Sequence, residues 1–158
     1  MLARQQVEPP WKHPEAVAMI TGGMLDPGDD SQLGRAPLVV RELLMFPYAR
    51  GLQFVAALRA RSPWSRVDRA FKSPPRSTEE VLHPERYLAG DDPPHKITAG
   101  KLPSLAGWRE VEETVWGEAG LSVVLRQHGV DAGRAATAAA GWGGDRMRVY
   151  VHGDGAIA

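Results

Sequence analysis

Prolines limit the helices that the middle of the chain can form. A proline ring has no backbone N–H and crowds the turn before it, so helices usually begin at prolines or end before them. Pro37 is placed to start a helix, and Pro47 and Pro63 each interrupt an apolar segment with helical spacing. The pattern therefore predicts three helices, at 37–45, 48–60 and 64–71, with a joint at Phe46-Pro47.

Apolar residues recur every three or four positions in these predicted helices, as the buried face of an amphipathic helix requires. Aromatic side chains belong to these stripes and carry the largest apolar surfaces. We therefore expect one buried aromatic cluster that joins the three helices, made of Phe46, Tyr48, Phe54, Trp64 and Phe71.

In the last third of the chain the apolar residues recur at a different spacing. Polar and apolar side chains alternate over 108–116 and again over 146–152. The alternation over 108–116 is typical of a half-buried strand. Between them, 120–128 and 131–140 have helical spacing. The predicted fold class is α/β of the α+β kind. In it, a helical N-terminal part packs with a small antiparallel sheet formed by the C-terminal part.

The predicted domain organisation is a leader and loop over 1–36, followed by a single domain over 37–158. Residues 26–35 are polar and include glycine and proline, as loops do. After the Gly-Asp-Gly turn at 153–155 only three residues are left for a last strand. Because strands usually have five or six residues, we expect this domain to be incomplete at its C-terminus.

The composition argues against several classes of partner. The 19 basic residues balance the 19 acidic residues, so no net field favours nucleic acid. No apolar stretch approaches the roughly 20 residues that span a bilayer, and no signal peptide follows Met1. We expect neither a nucleic-acid nor a membrane partner, and a cytoplasmic location unless a missing leader directs the chain to the envelope or outside. The absence of cysteine removes disulfides, thiolate zinc sites and a cysteine nucleophile.

The most unusual polar segment is 82–87, which places His83, Glu85 and Tyr87 around Pro84. These side chains could line a cleft, but such residues more often fix a turn through hydrogen bonds to the backbone. We favour the turn, and we expect His83 and Glu85 to point inward and to bond backbone groups.

Asp145 and Arg146 follow a glycine-rich segment, 141–144. A phosphate-binding loop has similar glycines, but it also needs a lysine and a preceding strand, which are missing here. We interpret Asp145 and Arg146 as a helix cap or an ion pair in a structural turn.

The five histidines are scattered without the spacing of a metal site. Zinc-binding histidines on one helix stand one turn apart, whereas His83 and Glu85 are two residues apart and His13 and Glu15 flank Pro14. The residues alone therefore predict no cofactor.

Three blocks of the sequence resemble a known family. They are 46–55 (FPYARGLQFV), 74–87 (PPRSTEEVLHPERY) and 139–146 (AAGWGGDR). Similar blocks occur in the same order in uncharacterised bacterial proteins that are described as zinc metallopeptidases. The resemblance covers 37–152 of this chain.

The resemblance implies a catalytic helix upstream of these blocks. In the family that helix carries His-Glu-x-x-His, whose two imidazoles bind zinc while the glutamate activates a water. This sequence contains no His-Glu-x-x-His. The resemblance offers only Glu15 as a counterpart of the third zinc ligand, and there Glu-Ala replaces the family's Glu-Gly.

Two functional hypotheses follow from this departure. In the first, the chain is a non-catalytic relative that retains the segment downstream of the catalytic helix and binds a protein or peptide partner. In the second, it is a fragment of an active zinc metallopeptidase whose catalytic segment is supplied elsewhere. By itself, the chain is expected to bind zinc only weakly and to cleave no peptide.

Overall fold

The computed structural model describes residues 8–26, 28, 30–98, 100, 105, 107–153 and 155–157. The fold is α+β. Two compact units are present: the first contains residues up to Arg76 together with Glu80–Gly90, and the second contains Ser77–Glu79 and the residues from Asp91 onward.

Helices occupy the first part of the chain. A 3-10 turn, Pro10–Lys12, precedes them. Their bounds are Pro14–Leu25 for α1, Leu38–Arg61 for α2, Trp64–Lys72 for α3, Thr78–Leu82 for α4 and Pro84–Ala89 for α5. Within the described ranges, no helix is both long enough and apolar enough to cross a membrane.

Helix α1 packs against α2. Val17 and Thr21 lie one turn apart on its buried face, and the Thr21 hydroxyl donates to the Val17 carbonyl at 2.9 Å. Gln53 Nε2 of α2 donates to the same hydroxyl at 2.7 Å. The segment predicted as a leader therefore includes a packed helix of 12 residues.

Helix α2 continues through Pro47, so the predicted joint between two helices is wrong. An interior proline costs about 3 kcal/mol because it removes one hydrogen bond and crowds the preceding turn. Burial beyond the proline offsets this cost, since Phe54 is 5% exposed and Leu58 is fully buried. Full burial of such a side chain contributes about 1.5–3 kcal/mol, so two of them outweigh the local penalty.

The core of the first unit contains Phe54 and Leu58 of α2 and Val67 of α3. Tyr87 of α5 meets Phe54 edge to face, with ring centroids 5.2 Å apart. Helices α3 and α5 are thereby both held against the C-terminal half of α2.

The predicted cluster of five aromatic residues is wrong, because only Phe54 among them is buried. The exposed fractions are 64% for Tyr48, 48% for Trp64 and 84% for Phe71, and Phe46 is half-buried. Tyr48 precedes Phe54 by six residues in the continuous helix, which turns it about 240° around the axis and away from this core. Trp64 instead meets Trp11 edge to face at 5.0 Å, and the Arg59 guanidinium lies 4.6 Å from the Trp64 ring centroid.

The second unit combines two helices with an antiparallel sheet. Helix α6 spans Gly117–Gln127 and α7 spans Ala132–Ala139. The strands, in their order across the sheet, are β1 Arg109–Thr114, β2 Met147–His152 and β3 Gly155–Ile157. The buried apolar side chains of this unit are small except for one tryptophan: Ala119, Val123, Ala135, Ala139 and Trp142.

Strand β1 is exposed along nearly all its length, so the prediction of a half-buried strand is wrong. The ladder shows the reason: Glu110 pairs with Tyr150 and Glu112 pairs with Val149, which leaves Val111 as an extra residue. One extra residue shifts the alternation of side chains between the two faces of a strand. The two-residue period read from the sequence therefore does not persist through β1.

Candidate functional site

His83 and Glu85 lie at the start of α5. Nδ1 of His83 is 3.6 Å from Oε1 of Glu85, and the Glu85 side chain is 60% exposed. The expectation that Glu85 points inward is wrong, because Glu85 occupies the first turn of α5, where a carboxylate at the surface is favoured by the helix dipole.

Tyr87 connects α5 to the end of α3. Its hydroxyl donates to the Ser73 carbonyl at 2.8 Å while its ring packs on Phe54. The carbonyl at the end of α3 thereby gains a hydrogen-bond partner. Tyr87 has a structural role in the first unit.

Glu80 of α4 is a buried carboxylate. It is 1% exposed. Oε2 accepts from the backbone N–H of Arg76 at 2.6 Å, and Oε1 accepts from Arg76 Nε at 2.8 Å. The carboxylate thus fixes the turn that leads into α4, and the Arg76 guanidinium forms an ion pair with it.

Asp145 caps α6 from a distant part of the chain. Its Oδ2 accepts from Trp116 N at 3.1 Å and from Gly117 N at 3.3 Å. Thr78 adds a second contact to the same helix terminus, because its hydroxyl accepts from Ala119 N at 3.2 Å. Thr78 and Asp145, one residue from each of two family-like blocks, therefore both contact this helix N-terminus.

Glycine is required at two positions around this cap. Gly117 has φ +70°, and a Cβ there would overlap the Thr78 hydroxyl oxygen. Gly144 has φ +153°, and a Cβ there would overlap the His95 carbonyl. His95 N also donates to the Gly143 carbonyl at 2.6 Å, so the glycine-rich segment is held by backbone contact with the 91–98 segment.

Arg146 takes part in an ion-pair network on the sheet. Arg146 Nη1 donates to Glu113 Oε1 at 2.7 Å, and Arg148 Nε donates to Glu113 Oε2 at 2.8 Å. The hydrogen bond from Arg148 is the main cause that holds the pKa of Glu113 below its ordinary value of 4.5. The network is at the surface, where ion pairs contribute little to stability.

Glu15 lies at the surface near the start of α1. Its side chain is 75% exposed, and Oε1 is 3.3 Å from Nδ1 of His13. His13 Nε2 in turn lies 3.2 Å from Oε2 of Glu8. Among the described residues, no three histidine, aspartate or glutamate side chains come together in a way that would hold a metal ion. These side chains therefore do not fit the zinc that the resemblance implies.

An apolar surface on α2 and α3 was missed from the sequence. Val40, Leu44, Tyr48, Gly51 and Val55 follow one another at spacings of four, four, three and four residues, which places them on one face of α2. Val40, Leu44 and Tyr48 are 50%, 55% and 64% exposed. The spacing would have shown this face, but the predicted joint at Pro47 divided it between two helices.

This face leads into an apolar groove of about 340 Å³. Gly51 and Val55 form one wall, and Ala70 and Phe71 of α3 form the other. Phe71 is 84% exposed at the groove. Together the seven residues are called the α2–α3 surface below: Val40, Leu44, Tyr48, Gly51, Val55, Ala70 and Phe71. A second cavity, of about 290 Å³, lies between α1 and α2, and four of its eight lining residues are alanines.

Several residues that line the groove have basic neighbours in the sequence. Five basic residues directly adjoin residues that line the groove: Arg50, Arg66, Arg69, Lys72 and Arg76. Arg50 is half-buried and donates to Gln53 Oε1 at 2.9 Å. Asp68 also adjoins a lining residue, whereas the carboxylate of Glu80 is already paired with Arg76. Adjacent positions in a helix are about 100° apart around its axis, so the charged side chains on α2 and α3 do not share the face of the residues that line the groove.

Comparison with known proteins gives one family match. Residues 104–158 match the model of a family described as Domain of unknown function (DUF8575). The match includes the sheet, both helices of the second unit and Asp145, and it does not include the α2–α3 surface. A search of curated proteins and a search of solved structures find no match.

Proposed function

We propose that this chain is a relative of the bacterial zinc metallopeptidases that does not itself provide the catalytic zinc ligands, and that it acts by binding another polypeptide. The α2–α3 surface carries this proposal. Monomeric proteins rarely leave a large continuous apolar patch open to water, and such patches commonly mark protein-binding sites. Here the patch has exposed Leu, Val, Tyr and Phe side chains and continues into a groove.

The shape of this surface suits recognition of a peptide. An apolar stripe on one helix beside a groove between two helices resembles the arrangement that accepts an amphipathic helix. Tyr48 and Phe71, the two most exposed members, are aromatic residues with few rotatable bonds. Such residues are common among those that dominate binding energies.

The family-like blocks support a role without catalysis in this chain. The blocks resemble those of metallopeptidases, but their polar residues have structural partners here. Asp145 and Thr78 occupy the N-terminus of α6, and Tyr87 bonds the end of α3. Side chains already committed to backbone groups are poor candidates for activating a water or binding a metal.

The second candidate function is a part of an active zinc metallopeptidase. The ordered resemblance of the three blocks favours it, and a segment with His-Glu-x-x-His would then come from elsewhere. Under this alternative, the same α2–α3 surface is the place where the catalytic segment packs.

The test combines a metal and activity assay with peptide selection. We expect the purified chain to lose added zinc on dialysis and to leave labelled casein intact, because it has no ligand pair and no base. We expect a phage-displayed library of helical peptides to yield binders that fail to bind Tyr48→Glu. Met19→Glu is the matched control, since Met19 is 76% exposed on α1.

Two results would contradict the proposal. One is stoichiometric zinc retained through dialysis together with casein cleavage. The other is a set of selected peptides that bind Tyr48→Glu as well as they bind the parent chain.

A further inference from the structure

We infer that residues 8–12 form an N-terminal strap that closes one end of the cavity between α1 and α2, and that Trp11 is the latch that holds it. The strap includes the 3-10 turn Pro10–Lys12, which contacts both α1 and α2. The strap controls access to a cavity that the proposed binding function does not use.

Trp11 is the largest side chain that lines this cavity of about 290 Å³. Four of the eight lining residues are alanines, among them Ala18 of α1 and Ala57 of α2. Alanine side chains are too small to fill the space between two helices, whereas an indole ring covers a large area. Displacement of Trp11 would therefore open this end of the cavity to water.

The ring of Trp11 joins the strap to α2 and α3. It meets Trp64 edge to face, with ring centroids 5.0 Å apart, and the Arg59 guanidinium carbon lies 5.6 Å from the Trp11 ring centroid. Both kinds of contact favour the closed position. Among the described residues, the hydrogen bonds and ion pairs of the strap stay within residues 8–13. The latch therefore depends on one side chain.

The closed position has a cost at Arg59, in the last turn of α2. Its Nη1 donates to the Ser62 carbonyl at 2.5 Å. Within the described part of the chain, however, Arg59 Nε is buried without an acceptor, and no carboxylate pairs with the guanidinium. A buried cationic donor without a partner is unfavourable. Opening would let water reach the guanidinium, which offsets part of the lost ring contacts and keeps the strap openable.

The core of the first unit does not include the latch. That core consists of Phe54, Leu58 and Val67, and Trp64, which Trp11 contacts, is 48% exposed. A peripheral segment with few buried contacts opens at a lower free energy than the whole unit. We therefore expect the strap to open while α1, α2 and α3 stay folded.

The experiment uses the full chain, which has no cysteine, so that a single introduced thiol reports access to solvent. Ala57→Cys places the thiol in the cavity lining. Ala49→Cys places it at a fully buried position of α2 outside that lining, and Met19→Cys places it at the surface of α1. The rate of alkylation by iodoacetamide is measured for each at one fixed pH. In the parent background, Met19→Cys should react fastest and Ala49→Cys slowest.

Variants of the latch test its role. Trp11→Ala should speed alkylation of Ala57→Cys about tenfold and leave the rates of Ala49→Cys and Met19→Cys unchanged. Trp11→Phe retains a ring and should change the Ala57→Cys rate much less. Trp64→Ala removes the other ring and should also speed the reaction at Ala57→Cys. Far-UV circular dichroism checks that the helices remain.

Three outcomes would overturn the inference. An equal rise at Ala57→Cys and Ala49→Cys would show that Trp11 stabilises the whole unit. An unchanged rate at Ala57→Cys in Trp11→Ala would show that Trp11 is no latch. Alkylation of Ala57→Cys as fast as that of Met19→Cys in the parent background would show that the strap does not cover the cavity. None of these rates depends on zinc or on a bound peptide, so failure here leaves the proposed function standing.

Discussion

Removal of the Asp145 carboxylate tests whether the second unit depends on a cap that comes from far along the chain. In Asp145→Ala, the backbone N–H groups of Trp116 and Gly117 lose their acceptor at the N-terminus of α6. Both groups are partly buried, so water replaces the carboxylate incompletely. We expect the free energy of unfolding to fall.

The size of the loss follows from two contributions. Replacing a capping side chain by alanine costs about 0.5–2 kcal/mol, and removing a negative charge beside a helix N-terminus costs about 0.3–1 kcal/mol. The sum is about 2 kcal/mol for Asp145→Ala. Asp145→Asn retains a capping oxygen and loses only the charge, so it should cost less than about 1 kcal/mol.

Urea denaturation measures the loss, and amide exchange locates it. The N–H groups of Trp116 and Gly117 should exchange about 30-fold faster in Asp145→Ala if they open with the lost 2 kcal/mol. Asp131→Ala is the matched control, because Asp131 caps α7 through the neighbouring Arg134 N–H and lies at the surface. An Asp145→Ala chain within about 0.5 kcal/mol of the parent would refute the reasoning, since this is the range of ordinary surface substitutions.

Two further predictions concern the core and the sheet. Phe54→Ala should destabilise the first unit by about 3–5 kcal/mol in urea melts, because loss of the buried ring leaves a cavity. The control Phe71→Ala should cost less than about 0.5 kcal/mol. Similar losses in the two variants would mean that the core is misassigned. Because Arg148 lowers the pKa of Glu113 in the folded state, this carboxylate favours folding at neutral pH, and its contribution is lost as the pH falls through the folded-state pKa. Glu113→Gln should therefore reduce the fall in the urea midpoint between neutral and acidic pH, and an unchanged pH profile would argue against this ion pair.

Local patterns predicted much of the secondary structure, because their causes are local. Helix α3 begins after Pro63 and α7 after Asp131, where the sequence shows a proline and a capping side chain. The α+β class follows from the change of period along the chain. These features depend on the backbone preferences of a few neighbouring residues.

Features that depend on distant contacts were not predicted. The continuation of α2 through Pro47 depends on packing against other helices, which outweighs the local cost. The bulge at Val111 depends on the pairing of β1 with β2. The two N–H groups that Asp145 caps, those of Gly117 and Trp116, lie 28 and 29 residues earlier in the chain. The α2–α3 surface follows from the first of these, because its stripe exists only when α2 is continuous.

Pro47 also has a consequence for whatever covers that stripe. Since proline has no N–H, the Leu43 carbonyl cannot accept the usual hydrogen bond from the residue four positions later. Leu43 is 48% exposed, so the residue that carries this oxygen lies at the surface. A docked helix that covered this oxygen without supplying a donor would lose about 1–3 kcal/mol. One backbone oxygen can thus favour one position of a partner helix along a stripe whose apolar contacts alone would allow several.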